Sequence, residues 1–176
     1  GHPDDFVFDV IDEALTEGVT SRLYSTLVRD KRLAASVLSD TNYPGVRAPN
    51  LFVIAATPLA PHSVTEVETA IYEELDRLKA EPISTKEFER VLNGLDADLV
   101  RSLRSNSGLA SQLAFYQTVA GTWRYVLNAR DRIAAVTPAD VQRVAAQYLT
   151  KPNRTVGVLV KKAQDKKMAA AGEVAR

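Results

Sequence analysis

The sequence predicts an α+β fold, with helices packed on one face of a mainly antiparallel sheet. Three observations predict it. A segment with helical period opens the chain, and two strand-like runs follow at residues 35–42 and 51–57. Helical periodicity then holds to about residue 149, before a last apolar run at 155–160. Three strands offer too little surface for so many amphipathic helices, so upstream sequence or a partner is expected to supply more.

The elements can be justified in order. Phe6, Val10, Ile11 and Leu15 lie near helical spacing, and Gly18 is a plausible helix end. Thr20 or Ser21 then caps a short helix with Leu23, Tyr24, Leu27 and Val28 on one face. Pro44-Gly45 and Ala48-Pro49-Asn50 separate the two strands by a loop rather than a tight turn. Val64, Val67, Ile71, Leu75 and Leu78 form one helical stripe. Ser84 and Glu87 have capping-box spacing ahead of a second stripe, Phe88, Val91, Leu92, Leu95, Leu99 and Leu103. A break at 105–108 precedes Leu109, Leu113, Tyr116 and Val119, and Gly121 stops that helix. Trp123, Val126, Leu127, Ile133 and Val136 mark another. Thr137-Pro138-Ala139-Asp140 then starts a helix burying Val141, Val144, Ala145 and Tyr148. Residues 155–160 are expected as a final strand. Residues 161–176, rich in Ala and Lys, are expected to form a flexible tail to a single domain of residues 1–160.

Composition removes several function classes. Acidic and basic residues balance at 22 each, so no global field favours nucleic acid. No apolar run is long enough to be a membrane span. The chain contains no Cys, which excludes disulfides, thiolate zinc sites and cysteine nucleophiles, while leaving the compartment undecided. It starts Gly1-His2-Pro3 without Met, so it is expected to be a piece of a longer polypeptide, incomplete at its N-terminus.

Three blocks carry a family resemblance. Thr20-Ser21-Arg22-Leu23-Tyr24 with Leu27-Val28-Arg29-Asp30-Lys31 is the first, and Ile83-Ser84-Thr85-Lys86-Glu87-Phe88 is the second. The third and most telling runs from Val136-Thr137-Pro138-Ala139-Asp140-Val141-Gln142 to Ala145-Ala146-Gln147-Tyr148-Leu149. In this order and spacing they resemble the insulinase/pitrilysin zinc metallopeptidases, and specifically their C-terminal, non-catalytic halves. The resemblance implies the α+β half domain that these enzymes share with mitochondrial processing peptidase. It also implies a zinc-bearing homologous domain or subunit as partner, an enclosed cavity and an unfolded peptide substrate. Zinc is expected only in that partner half, held by H-x-x-E-H and a further Glu. A homodimer is a further possibility, and family resemblance leans towards the periplasm of a bacterium. The parent protein or complex would be a zinc metalloendopeptidase, with no activity in this chain alone. The alternative is a purely structural subunit resembling the core subunits of the respiratory bc1 complex.

The residues agree with a chain that has no catalytic and no metal site. A zinc motif needs His on one helix face with a Glu as base. His2 and His62 stand far apart, and neither has a Glu three positions on or a second His nearby. Ser105, Ser107 and Ser111 cluster without a base, as Ser does at a helix break. Glu13 with Glu17, and Glu73 with Glu74 and Asp76, are expected on solvated helix faces. Phe115, Tyr116, Trp123 and Tyr125 are expected in the core. Some relatives place an Arg–Tyr pair near the partner's zinc. The stretch 51–65 where the resemblance would put it has neither residue type, and the nearest are Tyr43 and Arg47 in the preceding loop. Those two are the only candidate substrate contacts, and a plain turn explains them equally.

Overall fold

Helix α1 (Asp5–Thr16) runs through the middle of the core. Phe6, Val7, Val10, Ile11, Ala14 and Leu15 make one broad apolar stripe along it, and all are buried. A π-helical segment (Tyr24–Asp30) follows, then strands β1 (Ala34–Tyr43) and β2 (Leu51–Pro58). Helices α2 (Val64–Ala80), α3 (Thr85–Leu103), α4 (Asn106–Val119), α5 (Tyr125–Ala134) and α6 (Pro138–Tyr148) complete the order, with a 3-10 turn at Lys151–Asn153. This is a computed structural model that describes residues 2–46 and 49–160. Helix α1 touches β1, α3, α5 and α6, and α2 lies on β2 and α6. The architecture is α+β, as the sequence predicts.

Local chemistry sets the boundaries. Gly18, at φ 78°, turns the chain out of α1 in a conformation that costs glycine little. At the other end the buried Asp4 carboxylate accepts from Arg143 Nη2 at 2.8 Å and from the Tyr148 hydroxyl at 3.0 Å, tying α1 to α6. The Arg143 guanidinium holds Asp4 below the usual carboxylate range against the opposing effect of burial. Capping boxes start α2 at Ser63 with Glu66, and α6 at Thr137 with Asp140. The box expected at Ser84 forms only by half. Ser84 Oγ accepts from the Glu87 amide at 3.3 Å, but the Glu87 carboxylate is taken by Arg22 in a two-pronged contact at 2.7 and 2.9 Å. A charged fork outcompetes a backbone amide for that carboxylate.

Several expectations change. The segment after Ser21 is π-wound rather than a plain α-helix, and Ser21 does not cap it. The Ser21 hydroxyl donates back to the Gly18 carbonyl at 2.8 Å. Leu23 and Leu27 are fully buried on this segment, while Arg22 and Thr26 are claimed by Glu87 and Glu74. Those tertiary contacts override the local preference for α winding. Residues 155–160 form no ladder with β1 or β2, and Leu159 is 98% exposed. Apolar alternation alone does not make a strand, because a strand also needs neighbouring backbone donors and acceptors. Residues 161–176, expected as a flexible tail, lie outside the described residues. The α3–α4 break falls as expected, with Ser105 capping α4, but α4 buries no residue. Phe115 and Trp123 are correspondingly exposed, whereas Tyr125 stacks between Phe6 and Tyr116.

These packing differences order the expected stability effects. Leu27→Ala should cost roughly 2–5 kcal/mol as a fully buried large-to-small change. Ser84→Ala should cost about 1 kcal/mol through the lost cap bond. Val100→Ala, on an exposed position, should stay within about 0.5 kcal/mol. Urea denaturation of the three variants checks the ranking; a Val100→Ala loss as large as that of Leu27→Ala would refute this core.

Candidate functional site

The β1–β2 hairpin presents the candidate site. The two strands pair antiparallel, with Val37 opposite Ala56, Ser39 opposite Ile54 and Tyr43 opposite Leu51. Irregularities between Ala34 and Ser36 and between Asp40 and Tyr43 bend the ladder. Alternation directs Val37, Ser39 and Thr41, with Phe52, Ile54 and Ala56, towards the helical layer. Phe8 of α1 meets Phe52 with ring centroids 5.6 Å apart. Among the described residues the sheet has only these two strands, so each keeps one row of unpaired backbone groups.

Tyr43 stands at the tip of this hairpin, 55% exposed, with exposed Leu51 across the ladder. It is therefore accessible, as a substrate contact must be. Arg47, its proposed companion, lies outside the described residues. Among the described residues, the other candidate side chains take local roles. His62 pairs with Glu66 at 3.2 Å on the α2 start, and His2 Nδ1 accepts from the Asp4 amide at 3.2 Å. Two donations from Ser63, from its amide and its hydroxyl, hold Glu66 down to about 2. Ser105 Oγ accepts from the Gly108 amide at 3.0 Å, which is the helix-break role expected of it. No group of three or more His, Cys, Asp or Glu among the described residues is arranged to hold a metal ion.

Two carboxylates depart from the solvated role expected of them. Glu74 is buried, accepting from Thr26 Oγ1 at 2.8 Å and pairing with Arg77 at 3.1 Å. Glu13 is buried against α3, where a Cβ on Gly94 would collide with its Oε1. Burial pushes Glu13 above the ordinary carboxylate range, and Asp98 adds to the effect. Both were missed because a helix face reads as solvated from its own composition, while burial depends on what another helix brings. The absence of a side chain at Gly94 was the one available signal. Asp9 and Asp12 were missed as well. Burial is the main cause that pushes Asp9 up to about 6, and burial likewise raises Asp12.

With this geometry in view, the comparisons with known proteins decide the family. A family model described as the peptidase M16 inactive domain matches residues 1–95. The chain is 33% identical over 141 residues to an uncharacterized zinc protease of Streptomyces coelicolor, across 80% of this chain. The chain belongs to the peptidase M16 inactive-domain family. As such it is also 27% identical over 147 residues to the zinc protease PqqE of Helicobacter pylori. The crystal structure of a protease from Helicobacter pylori superposes with a TM-score of 0.79 at 26% identity, over 86% of this chain and 36% of that one. The inactive peptidase domain of a protein assigned as a zinc protease in Bordetella parapertussis superposes with a TM-score of 0.77 at 27% identity. That match covers 93% of this M16 inactive domain and 88% of the other chain. The chain spans only 30% and 32% of the two curated relatives.

An M16 inactive domain with this set of side chains should hold no zinc of its own. After dialysis against trace zinc, elemental analysis of the isolated chain should give far less than one equivalent, and quenched peptides should stay uncut. A tightly held equivalent with proteolysis would contradict this account of the site.

Proposed function

We propose that this chain is the non-catalytic half of a bacterial-type zinc peptidase, in which residues 1–160 act as one unit beside a zinc-bearing half. Together the two halves enclose and bind unfolded peptide. The observation that carries this reading is the near-complete superposition on a solved inactive peptidase domain, joined to a side-chain set with no metal cluster among the described residues. A protein of this family without ligands for zinc contributes surface rather than chemistry. The hairpin supports such a role. It offers unpaired backbone edges to which an extended peptide can add by hydrogen bonds, and an exposed Tyr43 beside them. Zinc, in this reading, belongs to the partner half. The zinc-protease relatives favour it over a purely structural role in a respiratory assembly.

The test is reconstitution. The isolated chain, mixed with the H-x-x-E-H half of its parent protein, should form a stoichiometric complex by analytical ultracentrifugation and restore peptide cleavage that neither piece shows alone. Absence of any complex at tens of micromolar, roughly the 6–7 kcal/mol range, would sink the pairing. In the assembled pair, Tyr43→Ala combined with Arg47→Ala should weaken peptide binding about five- to tenfold, with thermal stability unchanged. Unchanged peptide affinity would remove these two residues from the site without touching the pairing.

A further inference from the structure

Beside the Phe8–Phe52 contact, the side of α1 that meets the hairpin carries a polar row. Asp9, Asp12 and Thr16 succeed one another at helical spacing and face Ser39 and Thr41 of β1. The Thr16 and Ser39 hydroxyls lie 2.6 Å apart, and the Ser39 amide donates to Thr16 Oγ1 at 3.2 Å. The Thr41 hydroxyl donates to Asp9 Oδ1 at 3.5 Å, a long contact for this pair of atoms. Asp12 Oδ1 is buried with no hydrogen-bond partner. Among the described residues neither carboxylate takes part in an ion pair.

The charges around them give no relief. Helix α1 adds Asp5 and Glu17, and β1 adds Asp40. The phenols of Tyr116 from α4 and Tyr125 from α5 face Asp9. Arg132 of α5 lies over the rings of Phe6 and Tyr125. On α3, Arg90 and Asp98 act on Glu13, and on α6 Arg143 and Tyr148 are held by Asp4. An ionised carboxylate here only accepts hydrogen bonds, whereas a protonated one gains a donor that suits the hydroxyls of Ser39 and Thr41.

We propose that the α1–β1 seam is a proton-controlled latch, in which protonation of Asp9 and Asp12 clamps the hairpin onto α1 and their ionisation loosens it. A two-stranded hairpin has little stability of its own, so its seating on α1 governs its order. Burial raises Asp9 to about 6 from an ordinary value of 3.8, and Asp12 moves in the same direction. The folded form therefore holds these protons more tightly than the unfolded chain. The stabilisation is complete below the ordinary carboxylate value and is lost as pH rises through about 6. The strand that bears the change ends in Tyr43, whatever that residue contacts.

Hydrogen–deuterium exchange of the chain, corrected for intrinsic rates, tests the latch. Protection of β1 and β2 amides should fall about tenfold between about pH 5 and about pH 7.5, with α2 and α6 amides changing less. The double variant Asp9→Asn with Asp12→Asn should keep the hairpin protected across that range. Glu13→Gln, on the α3 side, should leave the fall in place. A hairpin equally protected at both pH values in the unsubstituted chain would overturn the proposal, as would the same fall in the double variant. Should the double variant not fold, carbon-detected titration of the unsubstituted chain decides. The Asp9 carboxyl and the β1 amides should then share a midpoint near 6, and an Asp9 midpoint near the ordinary 3.8 would refute the latch.

Discussion

Everything in this domain depends on the burial of one short helix. Helix α1 has only 12 residues, too few for independent stability in water, yet it meets β1, α3, α5 and α6. Its apolar stripe supplies the centre of the hydrophobic cluster, so the surrounding elements acquire a shared core through it. The sheet is the clearest dependant. Two strands would not persist alone, and they are seated by contacts between Phe8 and Phe52 and between Thr16 and Ser39.

Around this core the charged side chains act as positioning devices. Arg22 reaches Glu87 across 65 residues of sequence, fixing the π-helical segment against the start of α3. Thr26 and Glu74 join the same segment to α2, and Asp4 joins α1 to α6 through Arg143 and Tyr148. Buried polar links of this kind contribute little net stability compared with apolar packing of equal volume, but leaving one partner alone is costly. They therefore discriminate between alternative seatings of the helices. The half-formed cap at Ser84 shows the same hierarchy, since Glu87 abandons its local amide for a distant guanidinium.

The functional picture follows from what the fold retains. An M16 inactive domain keeps the layered scaffold, while the described residues bring no metal-binding group together. Under the function proposed above, shape, strand edges and a hairpin tip are the features through which this chain would meet a peptide. The polar seam under that hairpin leaves a buried oxygen of Asp12 without a hydrogen-bond partner.

The sequence by itself determined the α+β class, the family, five helix boundaries marked by Gly18, Ser84, Ser105, Gly121 and Thr137, and the lack of a zinc motif. Those signals are local: a cap, a left-handed glycine or a ligand spacing acts within a few residues. Tertiary structure alone decided the rest. It wound residues 24–30 as a π-helix, buried Glu13 and Glu74, left α4 without a buried residue and kept 155–160 out of the sheet. Each of these turns on what lies across the gap. Gly94 makes room for Glu13, Thr26 offers a donor to Glu74, and no edge of the two-stranded sheet takes up the last apolar run. Burial and strand pairing are properties of two surfaces in contact, and the periodicity of either surface alone does not contain them.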